Sequence, residues 1–315
     1  MKLERVAIVS MLDAIPWAPI VLGLKAGLEV HGVGVVTANA SPSWMHAELV
    51  RRFDPHAVLF CLHRQMLPHL AAWRSFLFGG IRFAALCFDD PYDLTTSLAA
   101  DHLFDLILTP EQCAIETYHA RGRRADLLLP TVCDVWHHEP ARSVTPDVDV
   151  LSVGGNQWRP RRTWLPMLVR ALEANGKTFG EVAGTQRWIV GPELTNALHR
   201  SRLTFDLPRD EYTTDNPLRI PCTYAGPRVH IAAACKVPCL MIDPRGGSSA
   251  TYPQNRTAAL HEGVDAILAM LEDPADAAAR AAFSLARFRA EHAPAIRGRQ
   301  LLELLRTHLY GGPAA

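Results

Sequence analysis

Gly154 and Gly155 close an apolar run, DVDVLSVGG, and Arg159, Arg161 and Arg162 follow before the next helical pattern begins. Paired glycines let a backbone approach a ligand closely, a helix start presents free N–H groups, and guanidinium forks match phosphate oxygens. That is the chemistry of a diphosphate cradle. The stretch is neither a Walker loop nor GxGxxG, and spacing alone fits equally a tight turn followed by a solvated basic helix start. A second candidate for anion binding is PRVHIAAACKVPCLMIDP, residues 227 to 244. Proline opens a helix there, which puts Arg228 and His230 near its positive end. The plainer alternative is a capped core helix with a solvated arginine.

Proton transfer needs a different set. Asp89 and Asp90 follow an apolar strand and precede Pro91, so both carboxylates are expected at a strand's C-terminal end. Neighbouring carboxylates raise each other's pKa, which suits a base working near neutrality; otherwise one of them caps the next helix or ties down the turn. His63, just after the run AVLFCL, competes for the same role. Asp13 and Trp17, in the loop MLDAIPW, are candidates to contact an acceptor, although a loop tryptophan is more commonly packing. The irregular segment 208–225 reads as a lid carrying Arg219 and Tyr224 inward, or as a plain surface loop. His137 and His138 have no partner at ligand spacing and read as solvated or hinge residues rather than metal ligands.

The elements that must hold these residues alternate between short β-rich runs and longer helical patterns, the mark of βαβ units and a parallel sheet. Strands are expected at Arg5–Met11, Val33–Thr37, Ala57–Leu62, Arg82–Phe88, Leu106–Thr109 and Leu127–Leu129. A polar stretch with two prolines, HHEPARSVTPD at residues 137 to 147, breaks the beat and reads as a linker. A second series follows, with strands at Asp149–Val153, Arg187–Val190, Leu203–Leu207 and Pro238–Ile242, and helices to the end. This gives an α/β fold of two Rossmann-like, doubly wound domains, 1–143 and 144–315, expected to face each other across a cleft at their strands' C-terminal ends.

The 315 residues suit two such domains. Lysine plus arginine equals aspartate plus glutamate at 32 each, so no global field draws the chain to nucleic acid or an anionic membrane. The seven cysteines are scattered through apolar runs without the paired spacing of a zinc site or a disulfide framework. No apolar stretch reaches the roughly 18 residues of a membrane span, and the opening MKLERVAIVSML reads as a first strand rather than a signal peptide. A cytoplasmic protein is expected.

In order and spacing, CFDDP at 87–91, FDLILTPEQCAIETYHARG at 104–122, LLPTVCDVWHHEP at 128–140, VDVLSVGG with its arginines, SRLTFDL at 201–207, PRVHIAAACKVPCLMID and LEDPADAAARAAF together carry a family likeness. The chain resembles the CgeB-like, spore-maturation-type glycosyltransferases, which have the GT-B fold and a glycosyltransferase family 1 type of C-terminal domain. The resemblance implies an N-terminal acceptor domain and a C-terminal donor domain, with the last helix returning to pack on the first. It implies transfer of a sugar from a nucleotide-diphosphate sugar to a small-molecule, polysaccharide or protein acceptor, without an obligatory metal. Gly154, Gly155, Arg159 and Arg161 match its phosphate-side loop, and Arg228 matches the arginine that opens the following helix. In that helix the family usually has phenylalanine–glutamate and later glycine, where this chain has His230–Ile231 and Lys236. Isoleucine cannot hold ribose hydroxyls as that glutamate does, so either another group such as Glu262 takes the task or donor binding is altered or lost. A degenerate nucleotide- or sugar-binding module and a GT-B-shaped sugar-nucleotide epimerase are the alternatives.

Overall fold

The computed structural model describes residues 3–11, 18–40, 44–77, 80–155, 160–182, 191–209, 215–243 and 247–311. The chain divides into two compact units, Met1–Cys133 with Glu211–Pro221 and Ala293–Ala315, and Asp134–Asp210 with Cys222–His292.

The first unit runs β1 (Arg5–Ser10), α1 (Ala18–Val30), β2 (Gly34–Asn39), α2 (Trp44–Phe53), β3 (Ala57–Cys61), a 3₁₀ turn at Arg64–Met66, α3 (Leu67–Phe76), β4 (Arg82–Leu86), α4 (Leu94–Ala100), β5 (Leu106–Thr109), α5 (Gln112–Ala120) and β6 (Ala125–Leu127). The strands pair in the order β2-β1-β3-β4-β5-β6, each pair parallel. Every residue of β3, AVLFC, is buried, as a strand covered by helices on both faces requires. Side chains alternate between two cores. Val58, Phe60, Phe83, Ala85 and Ile107 meet Trp73 of α3 and Tyr118 of α5 on one face. Ala57, Leu59, Ala84, Leu86 and Leu108 meet Leu24 and Leu28 of α1 on the other.

The second unit runs β7 (Val148–Val153), α6 (Arg161–Ala174), β8 (Phe179–Val182), α7 (Gly191–His199), β9 (Ser201–Asp206), α8 (Pro227–Ala234), β10 (Cys239–Ile242), α9 (Gly247–Thr251), β11 (Thr257–Ala258), α10 (Gly263–Glu272) and α11 (Pro274–Arg287), ending in a π-helical turn at Phe288–His292. Its strands order as β11-β10-β9-β7-β8, again all parallel. The first strand, β7, lies between the second, β8, and the third, β9. The winding direction therefore reverses between β7 and β9, and in doubly wound sheets that reversal opens a crevice at the strands' C-terminal ends. The polar stretch 137–147 lies within this unit. His137 is buried there, its Nδ1 2.8 Å from Thr195 Oγ1, and the Thr195 hydroxyl donates to Trp136 O.

The last helix, α12 (Pro294–Tyr310), belongs to the first unit, where Leu301, Leu302, Leu305 and Leu309 complete the core beneath α1. The two helices touch through glycines. A Cβ added at Gly27 would stand 2.0 Å from Pro294 O, and one at Gly298 2.2 Å from the Gly27 carbonyl carbon. Backbone meets backbone there, so a side chain forces the helices apart. Valine at Gly298 is expected to lower stability by about 3 kcal/mol, read as an earlier urea midpoint; an unmoved midpoint would refute the close contact.

The strand expected at Leu127–Leu129 forms at Ala125–Leu127 instead, set by parallel pairing with β5. The strand expected at Arg187–Val190 lies outside the described residues. β8, with the sequence FGEV, is an edge strand whose glycine and glutamate hide its pattern, and its parallel pairing to β7 is what fixes it.

Candidate functional site

The β7/β9 reversal gathers residues from four elements. β7 ends at Val153, and Gly154 turns with φ +105°, a backbone state that L side chains avoid. A Cβ there would stand 3.3 Å from Arg161 Nη1 and 3.4 Å from Arg228 Nε. Two guanidiniums thus converge on a bare stretch of main chain. Arg161 is the first residue of α6, and Arg228 is the second of α8, directly after Pro227.

Arg161 is nearly buried, at 3% exposure. Its Nη1 donates to Val153 O at 2.8 Å, and its guanidinium carbon lies 5.4 Å from the centre of the Phe205 ring. Among the described residues its buried Nε and Nη2 find no hydrogen-bond partner. Arg228 Nη1 lies 3.3 Å from Oδ1 of Asp206, the last residue of β9. That contact is an ion pair without the alignment of a hydrogen bond. Burial, and then the charge of Arg228, push the Arg161 pKa well down; Asp206 opposes, Arg209 adds to the repulsion, and Glu181 opposes again. A guanidinium keeps its proton in proteins. The shift therefore reports a buried cation with too little negative charge around it, a state that an arriving anion relieves.

Gly154, Arg161 and Arg228 are thus brought together, and Gly155 follows directly, half-buried. Arg159 lies outside the described residues, as do Asp13 and Trp17. His230 goes elsewhere. Residues two apart on a helix point to nearly opposite sides, so with Arg228 turned to Gly154 the His230 side chain enters the core. There its Nδ1 is 2.9 Å from Tyr252 OH, and its ring packs against Tyr252 and His292. Arg219 is an exposed residue with φ +53° in the segment that joins the first unit. That segment is fastened: Asp215 O accepts from Thr95 N and Oγ1, and its carboxylate pairs with Arg64. Tyr224 is buried.

In the first unit, His63 and the aspartates follow the C-terminal ends of β3 and β4. His63 is half-buried, and its Nδ1 accepts from Gln65 N at 3.4 Å. Asp89 is half-buried. Asp90 is fully buried, accepting from Ser97 Oγ and from Tyr118 OH, both at 2.7 Å. Burial lifts its pKa to about 7 against the hydrogen bonds of Tyr118, Ser97 and Thr109, with Asp89 adding to the rise. Through Ser97 and Tyr118, Asp90 ties the end of β4 to α4 and α5. Asp89 and His63 are the more exposed of these three residues.

Asp206 was not singled out in the sequence. Its signal is an acidic residue ending SRLTFD, and its partner lies too far along the chain for spacing to reveal. Lys236 has φ +56° just past α8, the left-handed state in which glycine is the natural choice. Here Lys236 accepts that backbone, with Nζ 3.5 Å from Glu139 Oε2. Ile231 is buried, and Glu262 is exposed with its Oε2 on Ala259 N. Among the described residues no group of three or more histidines, cysteines or acids is arranged to hold a metal ion. No described helix is long and apolar enough to cross a membrane.

No family model and no curated protein matches the chain. Solved structures do. HepE from Anabaena, in complex with UDP, is 11% identical with a TM-score of 0.55, over 96% of this chain and all of its own. AviGT4, a glycosyltransferase involved in avilamycin A biosynthesis, is 15% identical with a TM-score of 0.62, over 98% and 99%. The UDP-GlcNAc 2-epimerase of Neisseria meningitidis, bound to UDP-GlcNAc, is 8% identical with a TM-score of 0.54, over 96% and 99%. At such identities the likeness speaks for architecture: the chain has the GT-B fold, two α/β units each built on a parallel sheet.

Proposed function

We propose that this protein is a glycosyltransferase of the CgeB-like type, moving a sugar from a nucleotide-diphosphate donor to a hydroxyl-bearing acceptor. The observation that carries the reading is the convergence of Arg161 and Arg228 on Gly154 at the β7/β9 crevice. In the proposal the diphosphate lies against the Gly154–Gly155 main chain, between Arg161 and Arg228. The guanidiniums hold it and stabilise the charge that grows on it as the sugar leaves. Those groups supply the positive charge that a metal ion would otherwise bring. His63 or Asp89 takes the proton of the attacking hydroxyl. The fold is shared with proteins solved with UDP and with UDP-GlcNAc, which supports a nucleoside diphosphate as the anion.

Calorimetric titration with UDP, TDP, GDP and ADP is expected to find one of them bound clearly more tightly than the rest, and its sugar conjugate slowly hydrolysed without acceptor. Tight binding with no hydrolysis or transfer favours the binding-module reading, for which the buried Ile231 in place of a ribose-holding carboxylate is the specific support. Binding of none of the four removes the donor assignment.

A further inference from the structure

The opposite edge of the first unit's sheet carries chemistry that the proposed transfer does not use. Parallel register sets Ala84 beside Leu106 and Ile107 beside Ala125, so the N-terminal ends of β4, β5 and β6 lie side by side. Basic residues gather there: Arg82 opens β4, and Arg123 and Arg124 immediately precede β6. They line a cavity of about 350 Å³ together with Phe104, Asp105 and His308 of α12.

The charges inside do not cancel. Three guanidiniums face one lining carboxylate, and that carboxylate is already engaged, Asp105 Oδ2 accepting from Phe83 N at 2.9 Å. Arg82 Nη1 comes only within 3.8 Å of Asp105 Oδ1. Arg124 spends Nη1 on His308 O at 2.8 Å, and Arg123 turns Nε toward Asp101 Oδ1 at 3.3 Å, an acid it shares with Arg121. The His308 imidazole is oriented by Asp126 Oδ2 at 3.0 Å. The remaining guanidinium N–H groups are donors in a concave, partly enclosed place, the arrangement that recognises phosphate oxygens. Phe104 and Leu309 add a small apolar share to a mainly polar lining, and the cavity's volume falls at the small end of ligand pockets.

We propose that this cavity binds the phosphate group of a small, freely diffusing phosphorylated molecule, at a site separate from the β7/β9 crevice. Arg82, Arg123 and Arg124 hold the phosphate, and the Phe104 side receives the body that bears it. The assignment does not depend on the glycosyltransferase reading, because none of these residues belongs to the second unit.

The experiment is calorimetric titration of the full chain with sodium pyrophosphate. Wild type, Arg228→Ala, Arg82→Gln and Arg82→Lys are compared, with circular dichroism confirming that each is folded. Binding is expected to persist in Arg228→Ala and to weaken about tenfold in Arg82→Gln, the scale of one charged hydrogen bond. Arg82→Lys should keep part of it, and all of it should fade with added salt. If Arg228→Ala alone abolishes every pyrophosphate site, the cavity is not a phosphate site. With the crevice disabled by Arg228→Ala, equal pyrophosphate affinity with and without Arg82→Gln overturns the proposal just as surely. Failure of the crevice reading looks different: Arg228→Ala then changes no nucleotide affinity while Arg82→Gln still weakens pyrophosphate. Cosedimentation with vesicles of phosphatidylcholine and phosphatidic acid separates the two sources of phosphate. Vesicle binding that is lost in Arg82→Gln, without pyrophosphate binding, would overturn the small-molecule part.

Discussion

Alanine in place of Arg228 is expected to weaken nucleoside diphosphate binding by about 30- to 100-fold, the loss of one charge-assisted contact to phosphate. Among the described residues, Arg161, Arg228 and Arg209 act on one another in the wild-type crevice against the carboxylates of Asp206 and Glu181. Removing Arg228 leaves two charges of each sign among these groups, so the crevice loses its net attraction for an anion. Turnover should fall further than affinity, because charge on the diphosphate is greatest as the sugar departs, and a lost electrostatic clamp typically costs about 10²- to 10³-fold in kcat. The fold should survive, since Arg228 is partly exposed and Asp206 keeps Arg161 as its neighbour. Arg228→Lys retains the charge but not the fork, and should recover part of the binding. Calorimetry with the best of UDP, TDP, GDP and ADP, together with a hydrolysis assay, reads both effects. Unchanged affinity and unchanged turnover would remove the crevice from the mechanism.

A second large effect is expected at Asp90, and it concerns stability against pH. The folded-state pKa is about 7 against an ordinary value of 3.8. Between these values the folded chain holds a proton that the unfolded chain has released, so unfolding becomes easier as pH rises through that window. Over about three pH units this amounts to at most about 4 kcal/mol. Asp90→Asn cannot ionise, and its amide can still meet Ser97 and Tyr118. Urea unfolding at pH 5 and at pH 8 should show wild type losing stability relative to the variant at the higher pH. Acids whose pKa is lowered, such as Asp149 and Asp276, act in both proteins and cancel in the comparison. Parallel pH profiles would mean that Asp90 is ionised in the fold at no cost, and the buried network would need a different description.

Much of the architecture was legible because burial on both faces writes continuous apolar strands. The run AVLFC of β3 and the alternation of helical and strand patterns gave the parallel sheets directly. Strand FGEV was not legible, since an edge strand needs little apolar surface and its pairing is with residues some thirty positions away. At the candidate site, glycine and arginine types pointed to Gly154, Arg161 and Arg228. Their convergence on one another, and the part played by Asp206, depend on strand order, which no local spacing encodes. His230 shows the opposite limit of spacing. Its nearness in sequence to Arg228 suggested a shared task, whereas helical geometry turns the two apart.

The docking of α12 on α1 has a consequence for biosynthesis. A ribosome that has released residues 1–133 has delivered every strand of the first sheet, yet the leucines that cover one of its faces arrive only with residues 294–310. Until then Leu24, Leu28 and their neighbours lack the packing of Leu301, Leu302, Leu305 and Leu309. The first half of the chain must wait, sticky and incomplete, while the whole second unit is made. Nascent chains halted before Ala293 should accordingly be the ones that chaperones hold.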